Sequence, residues 1–218
     1  MHHGREQYPH KPARARDELH WEQHYHGSAL AAVGLAVPLG LEYLCIPSAF
    51  TYNYLSVHGS TALVDEMYST ENLHLVHDGC EVTRAQKVAR ILEWDRDVVL
   101  KYLRVCTRNS GGAYNCGECY KCVRTAIPLR ILGVWDQVNT FQNKSTDHWE
   151  EAMQLDRFFI LTEENLQFAK DYGTDPELTA MLERVVRRRR RRQGAVRFIE
   201  NSPLDPLLPL ARRIARRG

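Results

Sequence analysis

Four of the six cysteines, Cys106, Cys116, Cys119 and Cys122, fall within seventeen positions of one another. In the segment Cys116-Gly117-Glu118-Cys119-Tyr120-Lys121-Cys122 three thiols recur at intervals of three, and Cys106 stands upstream. A CxxC turn lets two sulfurs converge, and Gly117 permits the tight backbone this needs. Zinc takes four soft ligands in a tetrahedron, at about 2.3 Å for thiolate sulfur. Arg104, Arg108, Lys121 and Arg124 flank the cluster, and their charge favours the thiolate form. The expected chemistry is therefore a structural zinc ion, closed on all four sides and unable to activate water. An iron–sulfur cluster also accepts four thiolates, and reduced cysteines without a metal form the third alternative.

Other residues could act on a substrate. His58, Ser60, Asp65 and Glu66 lie in a polar, glycine-containing stretch between two apolar runs. Ligands collect at the carboxyl ends of strands in α/β sheets. Asp65 or Glu66 would hold a substrate amine or a metal-bound phosphate, and an ordinary solvated loop is the equal alternative. His26 and Gly27 open a helix and would meet an anion or substrate, or else form a simple entry turn. Arg84 and Lys87 share a helix face within reach of phosphates, or form a solvated basic face. No Ser-His-Asp or Cys-His nucleophile pattern is recoverable from the sequence.

The elements that position these residues follow from periodicity and punctuation. Residues 28–37, nearly all small and apolar, predict a buried helix packed closely on a sheet. Residues 42–46 and 73–76 predict short buried strands, and 102–105 a third strand or edge. Thr83 predicts an N-cap for a helix over 84–94, with Val88, Ile91 and Leu92 as its buried stripe. A helix over 123–132 carries Pro128, which predicts a kink or an early end. Helices are expected over roughly 149–170 and 175–192. Strands separated by helices imply a partial parallel sheet flanked by helices, an α/β class.

With 218 residues, 44% of them hydrophobic and 26% charged, the chain has the composition of a globular domain. No apolar stretch is long enough to span a bilayer, and the His-, Arg- and Pro-rich start is no secretory signal. A cytoplasmic location without membrane contact is expected, in which clustered cysteines favour metal over disulfide. The net charge of +2 conceals an asymmetry: from residue 184 onward twelve arginines face two acids, a balance of +10, which leaves −8 for the rest. The six consecutive arginines Arg187 to Arg192 could bind nucleic-acid phosphates or form a solvated tail. The expected organisation is a disordered leader over 1–18, a zinc-bearing domain over 19–148, a helical extension over 149–192, and a basic, proline-containing tail over 193–218.

The cysteine pattern followed by Arg124 resembles the C-terminal zinc motif of the 7-cyano-7-deazaguanine synthase family, whose members have an adenine-nucleotide alpha-hydrolase-like (HUP/PP-loop) fold. His77-Asp78-Gly79-Cys80-Glu81-Val82-Thr83-Arg84-Ala85-Gln86-Lys87 is similar to that family's strand, loop and "T-K-x-E" helix start, with Arg84 and Gln86 replacing Lys and Glu. His26-Gly27 and the strand ending at Pro47-Ser48 stand in the expected order, so the resemblance covers roughly residues 20–135. It implies an ATP-dependent ligase that adenylates a small carboxylate or amide substrate, releases pyrophosphate and transfers nitrogen, using Mg²⁺ with the ATP. The family's Ser-Gly-Gly-x-Asp-Ser phosphate loop has no counterpart. Ser110-Gly111-Gly112 lacks the Asp-Ser and the following helix, and is read as a flexible spacer. The chain thus resembles the second half of such an enzyme, its N-terminal half missing. A truncated frame, a split subunit needing a partner that carries the loop, and a degenerate fragment remain open. So does a non-catalytic zinc-stabilised module that binds nucleic acid through its arginines.

Overall fold

The structure, a computed structural model, describes residues 21–37, 40–54, 58–108 and 112–200. The expected leader, the residues Ser110 and Gly111 of the spacer, and the tail beyond residue 200 lie outside the described residues. Between Glu81 and Val82 the chain divides into two compact units.

In the first unit a π-helical turn, Trp21–Tyr25, runs into α1, His26–Ala36. Gly27, Ala31 and Gly34 are its buried residues, spaced four and three apart on one face. A Cβ on Gly34 would stand 2.5 Å from Leu44 Cδ2, so the helix approaches the sheet as closely as a bare backbone allows. The sheet pairs β1, Tyr43–Pro47, in parallel with β2, His74–Asp78, in a register from Tyr43↔His74 to Pro47↔Asp78. Ala31, Ile46, Leu73 and Leu75 form a small core. Val33 and Leu35 of α1 and Tyr43 of β1 are exposed on the outer sides.

The second unit is helical. Thr83 caps α2, Arg84–Trp94, through a reciprocal capping box: Thr83 Oγ1 accepts the Gln86 amide at 3.2 Å, and Gln86 Oε1 accepts the Thr83 amide at 2.8 Å. Asp95 Oδ1 accepts the amides of Asp97 and Val98 and so starts α3, Arg96–Tyr102. The third strand expected over 102–105 does not form. Tyr102 ends α3, and the Leu103 carbonyl and Val105 amide, which a ladder would have used, bond instead to the side chain of Asn115.

α4, Tyr120–Ile131, is the centre of this unit, with every residue from Cys122 to Leu129 buried. Pro128 neither stops nor divides it. Proline withholds the amide that would bond Arg124 O, and the buried Asn165 supplies that carbonyl from Nδ2 at 3.0 Å. The helix expected over 149–170 is two, α5, Trp149–Gln154, and α6, Phe159–Tyr172. They are separated where the buried Asp156 carboxylate accepts the Phe158 amide, an Asx-type turn. Gly173, at φ 63°, ends α6. α7, Pro176–Glu200, continues past the expected boundary at 192.

Among the described residues the architecture is mixed α/β, with seven α-helices and a two-stranded parallel sheet. No helix among them is long and apolar enough to cross a membrane.

Candidate metal centre

Cys106, Cys116, Cys119 and Cys122 are all buried, and their sulfurs lie within 4.8 Å of one another. Four of the separations are 3.6 Å (Cys106–Cys116), 3.6 Å (Cys119–Cys122), 3.8 Å (Cys116–Cys122) and 4.0 Å (Cys106–Cys119). A zinc–sulfur bond of about 2.3 Å gives a regular tetrahedron an edge of about 3.8 Å. The donor set thus fits one metal ion at its centre.

Local sequence builds the arrangement. The Cys116 sulfur accepts the amides of Glu118 at 3.5 Å and Cys119 at 3.4 Å, and the Cys106 sulfur accepts the Arg108 amide at 3.4 Å. Gly117 adopts φ 80°, and a Cβ there would fall 2.1 Å from Asn143 O, so the turn admits only glycine. Cys119 is the N-cap of α4, and Cys122 projects from its first turn.

Cys106 arrives on a segment without regular structure, and a single side chain places it. Asn115 is fully buried; its Oδ1 accepts the amides of Val105 at 2.8 Å and Cys106 at 3.1 Å. Its Nδ2 donates to Leu103 O at 2.8 Å and Thr140 Oγ1 at 3.1 Å. The adjacent backbone is also fixed, because the Asn115 amide donates to Thr140 O and the Gln142 amide to Asn115 O.

The four thiols hold their protons unequally. The hydrogen bond between Cys119 and Cys122 draws Cys119 down to about 4 and pushes Cys122 up. Burial pushes Cys116 up. At Cys106 burial acts in the same sense, but hydrogen bonds from the amides of Cys116 and Arg108 bring it below the ordinary thiol value. Arg124, expected to lend charge to the thiolates, is buried in an ion pair with Asp156 at 3.2 Å.

The other expected site residues separate into two groups. In the first unit the structure brings His26, Gly27, His58, Ser60 and Asp65 together. The Gly27 amide donates to Gly59 O at 2.9 Å, and the His26 and His58 rings meet edge-to-face at 4.6 Å. His58 Nδ1 pairs with Ser60 O at 3.1 Å. Asp65 is fully buried, and its Oδ2 accepts from both Ser60 Oγ and His77 Nδ1 at 2.6 Å. A serine, an aspartate and a histidine thus do assemble, although the sequence showed no such pattern. A nucleophile triad needs the imidazole between hydroxyl and carboxylate, whereas here the carboxylate stands between the other two. Glu66 is exposed and outside this group.

In the second unit Arg84 and Lys87 lie at the start of α2. Burial and then the charge of Arg124 lower the Arg84 guanidinium to about 10. Glu164 accepts the Arg84 amide, and burial pushes its carboxyl up.

Sequence reasoning missed Asn115 and His77. Asn115 carries no local signal, because its four partner residues lie in two segments, 103–106 and around Thr140, nine or more positions away. His77 stood in a His-Asp-Gly run that reads as a turn. No protein-family model, characterised protein or solved structure matches the chain.

Proposed function

We propose that Cys106, Cys116, Cys119 and Cys122 bind one zinc ion in a structural role, and that the chain is the zinc-bearing part of an ATP-dependent, pyrophosphate-releasing ligase. The observation that carries the zinc assignment is the buried set of four sulfurs at tetrahedral separations. Four thiolates complete the coordination of zinc, leaving no position for water or substrate. The ion would tie the Cys106 segment and the Cys116–Cys119 turn to the start of α4, and its binding energy would become folding energy.

The ligase assignment rests on the motif resemblance, with two features in support. Polar residues gather near the carboxyl end of a parallel strand, where His77 of β2 meets Asp65. Parallel sheets are normally covered on both faces, and the exposed outer sides of α1 and β1 suit further strands from another segment or subunit. That segment would bring the phosphate loop, with ATP and Mg²⁺ bound beside it.

The experiment is metal analysis of protein purified without added metal, together with calorimetric titration of Mg²⁺-ATP. One zinc per chain and a measurable heat of ATP binding support both parts. Zinc without ATP binding marks the chain as a half-domain awaiting the segment that carries the phosphate loop, whereas absence of zinc removes the metal assignment and, with it, the motif resemblance on which the ligase assignment rests.

A further inference from the structure

The arginine run is not a uniform tail, because α7 turns its members to different sides. Arg189 donates to Asp156 O and lies over the Phe159 ring at 4.9 Å, and Arg190 pairs with Glu163 at 2.6 Å. Arg184 pairs with Glu150 at 3.0 Å. Leu178, Met181, Leu182, Val185 and Val186 are buried. Arg187, Arg188 and Arg191 are exposed, and among the described residues no ion pair holds them. Spaced i, i+1 and i+4, they continue the outward stripe begun by Arg184. Glu183, one turn before Arg187, is engaged by Lys170 at 2.8 Å.

We propose that this outward face of α7, formed by Arg187, Arg188 and Arg191, binds the phosphate backbone of double-stranded nucleic acid without reading its sequence. Like charges at i, i+4, as in Arg187–Arg191, repel and weaken a helix, and a bound anion relieves that repulsion. Arg192, one turn beyond Arg188, shows the same strain: burial and then the charge of Arg188 lower its guanidinium. From Arg187 to Arg191 the helix rises about 6 Å, over which a duplex presents roughly three to four phosphates. The helix, anchored by Arg184, Arg189 and Arg190, fixes the backbone positions from which the three side chains project, so no backbone ordering is needed on binding.

The chemistry selects the partner. Guanidinium matches phosphate oxygens in a bidentate fork. Arginine can fork onto guanine in the major groove, but the stripe has no amide to pair with adenine, no acid to pair with cytosine and no aromatic ring on which a base would stack. Gln193, the one amide of α7, falls on the side of Arg189 and Val186, four and seven residues before it. A lipid surface is the poorer partner, because an interfacial helix inserts apolar side chains and Leu178, Met181, Leu182, Val185 and Val186 of α7 are buried in the body.

The test is anisotropy of a labelled, mixed-sequence DNA duplex of about 20 base pairs, titrated with the full chain at salt between about 50 and 200 mM. The variant R187Q/R188Q/R191Q keeps helix propensity and, since these side chains are exposed, keeps the native unfolding temperature. Its log–log salt slope should be shallower by about 2.7, so a fourfold rise in salt weakens it roughly 40-fold less than the native chain. The remaining slope belongs to the other basic residues. If the triple variant fails to fold, each single Arg→Gln variant should lower the slope by about 0.9. An unchanged slope overturns the proposal. So does failure to bind duplex at the lowest salt, or binding to phosphatidylserine vesicles in preference to duplex.

Discussion

Replacing Asn115 by leucine isolates the geometry that places Cys106. The two side chains have similar volume, so the change removes hydrogen bonds without opening a large cavity. It strips the donors or acceptors of four groups, the amides of Val105 and Cys106, Leu103 O and Thr140 Oγ1, while Thr140 O, its fifth contact, keeps the Asn115 backbone amide. A buried polar group left unsatisfied costs about 1–3 kcal/mol. Leu103 and Val105 are half-buried, so water meets part of their need, whereas Cys106 and Thr140 are buried. Counting the two buried groups alone, the summed range is about 2–6 kcal/mol, and the expected loss is about 3 kcal/mol. Because that loss falls on the segment delivering one of the four sulfurs, it should appear in metal affinity as well as stability. At 1.4 kcal/mol per tenfold, zinc binding should weaken somewhat over 100-fold. The unfolding temperature of the zinc-loaded protein should fall by roughly 6–12 °C. Competition against a chromophoric chelator and thermal denaturation measure the two quantities. Zinc affinity unchanged within twofold, with the variant folded, would refute the idea that Asn115 preorganises the site.

Three further outcomes follow from the geometry. Gly117→Ala, which puts a Cβ 2.1 Å from Asn143 O at φ 80°, should lower zinc-loaded stability by at least about 3 kcal/mol, and chemical denaturation would show it. Asn165→Leu should destabilise by about 1–3 kcal/mol because Arg124 O loses its donor; adding Pro128→Ala returns a helix amide to that carbonyl and should recover most of the loss in a double-mutant cycle. Asp65→Ala should leave Ser60 and His77 without their shared acceptor and speed hydrogen exchange of the β1–β2 amides, and unaltered protection would show that this buried group does not hold the first unit.

The features legible in the sequence are those whose determinants are local. The cysteine spacing identifies the donor set because three of the four sulfurs lie within seven residues. Thr83 and Gln86 announce α2 through a capping box that spans four residues. Alternating strand and helix patterns find β1 and β2 to within two residues. What was missed is set at a distance. The Tyr102-to-Val105 run has strand propensity, but its backbone groups are taken up by Asn115, ten or more residues away. α3 begins on Asp95, a cap visible in the sequence but followed by β-branched Val98 and Val99 that mask the helix. Pro128 looks like a stop unless Asn165, on another helix, is known to feed the orphaned carbonyl. Periodicity shows that the arginines are numerous, whereas only packing separates Arg189 and Arg190 from their outward neighbours.

The central claim is a single metal ion held by Cys106, Cys116, Cys119 and Cys122, and X-ray absorption at the zinc edge tests it most directly. Protein purified without added metal should contain one zinc per chain, with four sulfur neighbours at about 2.3 Å and no nitrogen or oxygen in the first coordination sphere. A shell containing nitrogen or oxygen, an iron signal in place of zinc, or metal-free protein of native stability would contradict the account.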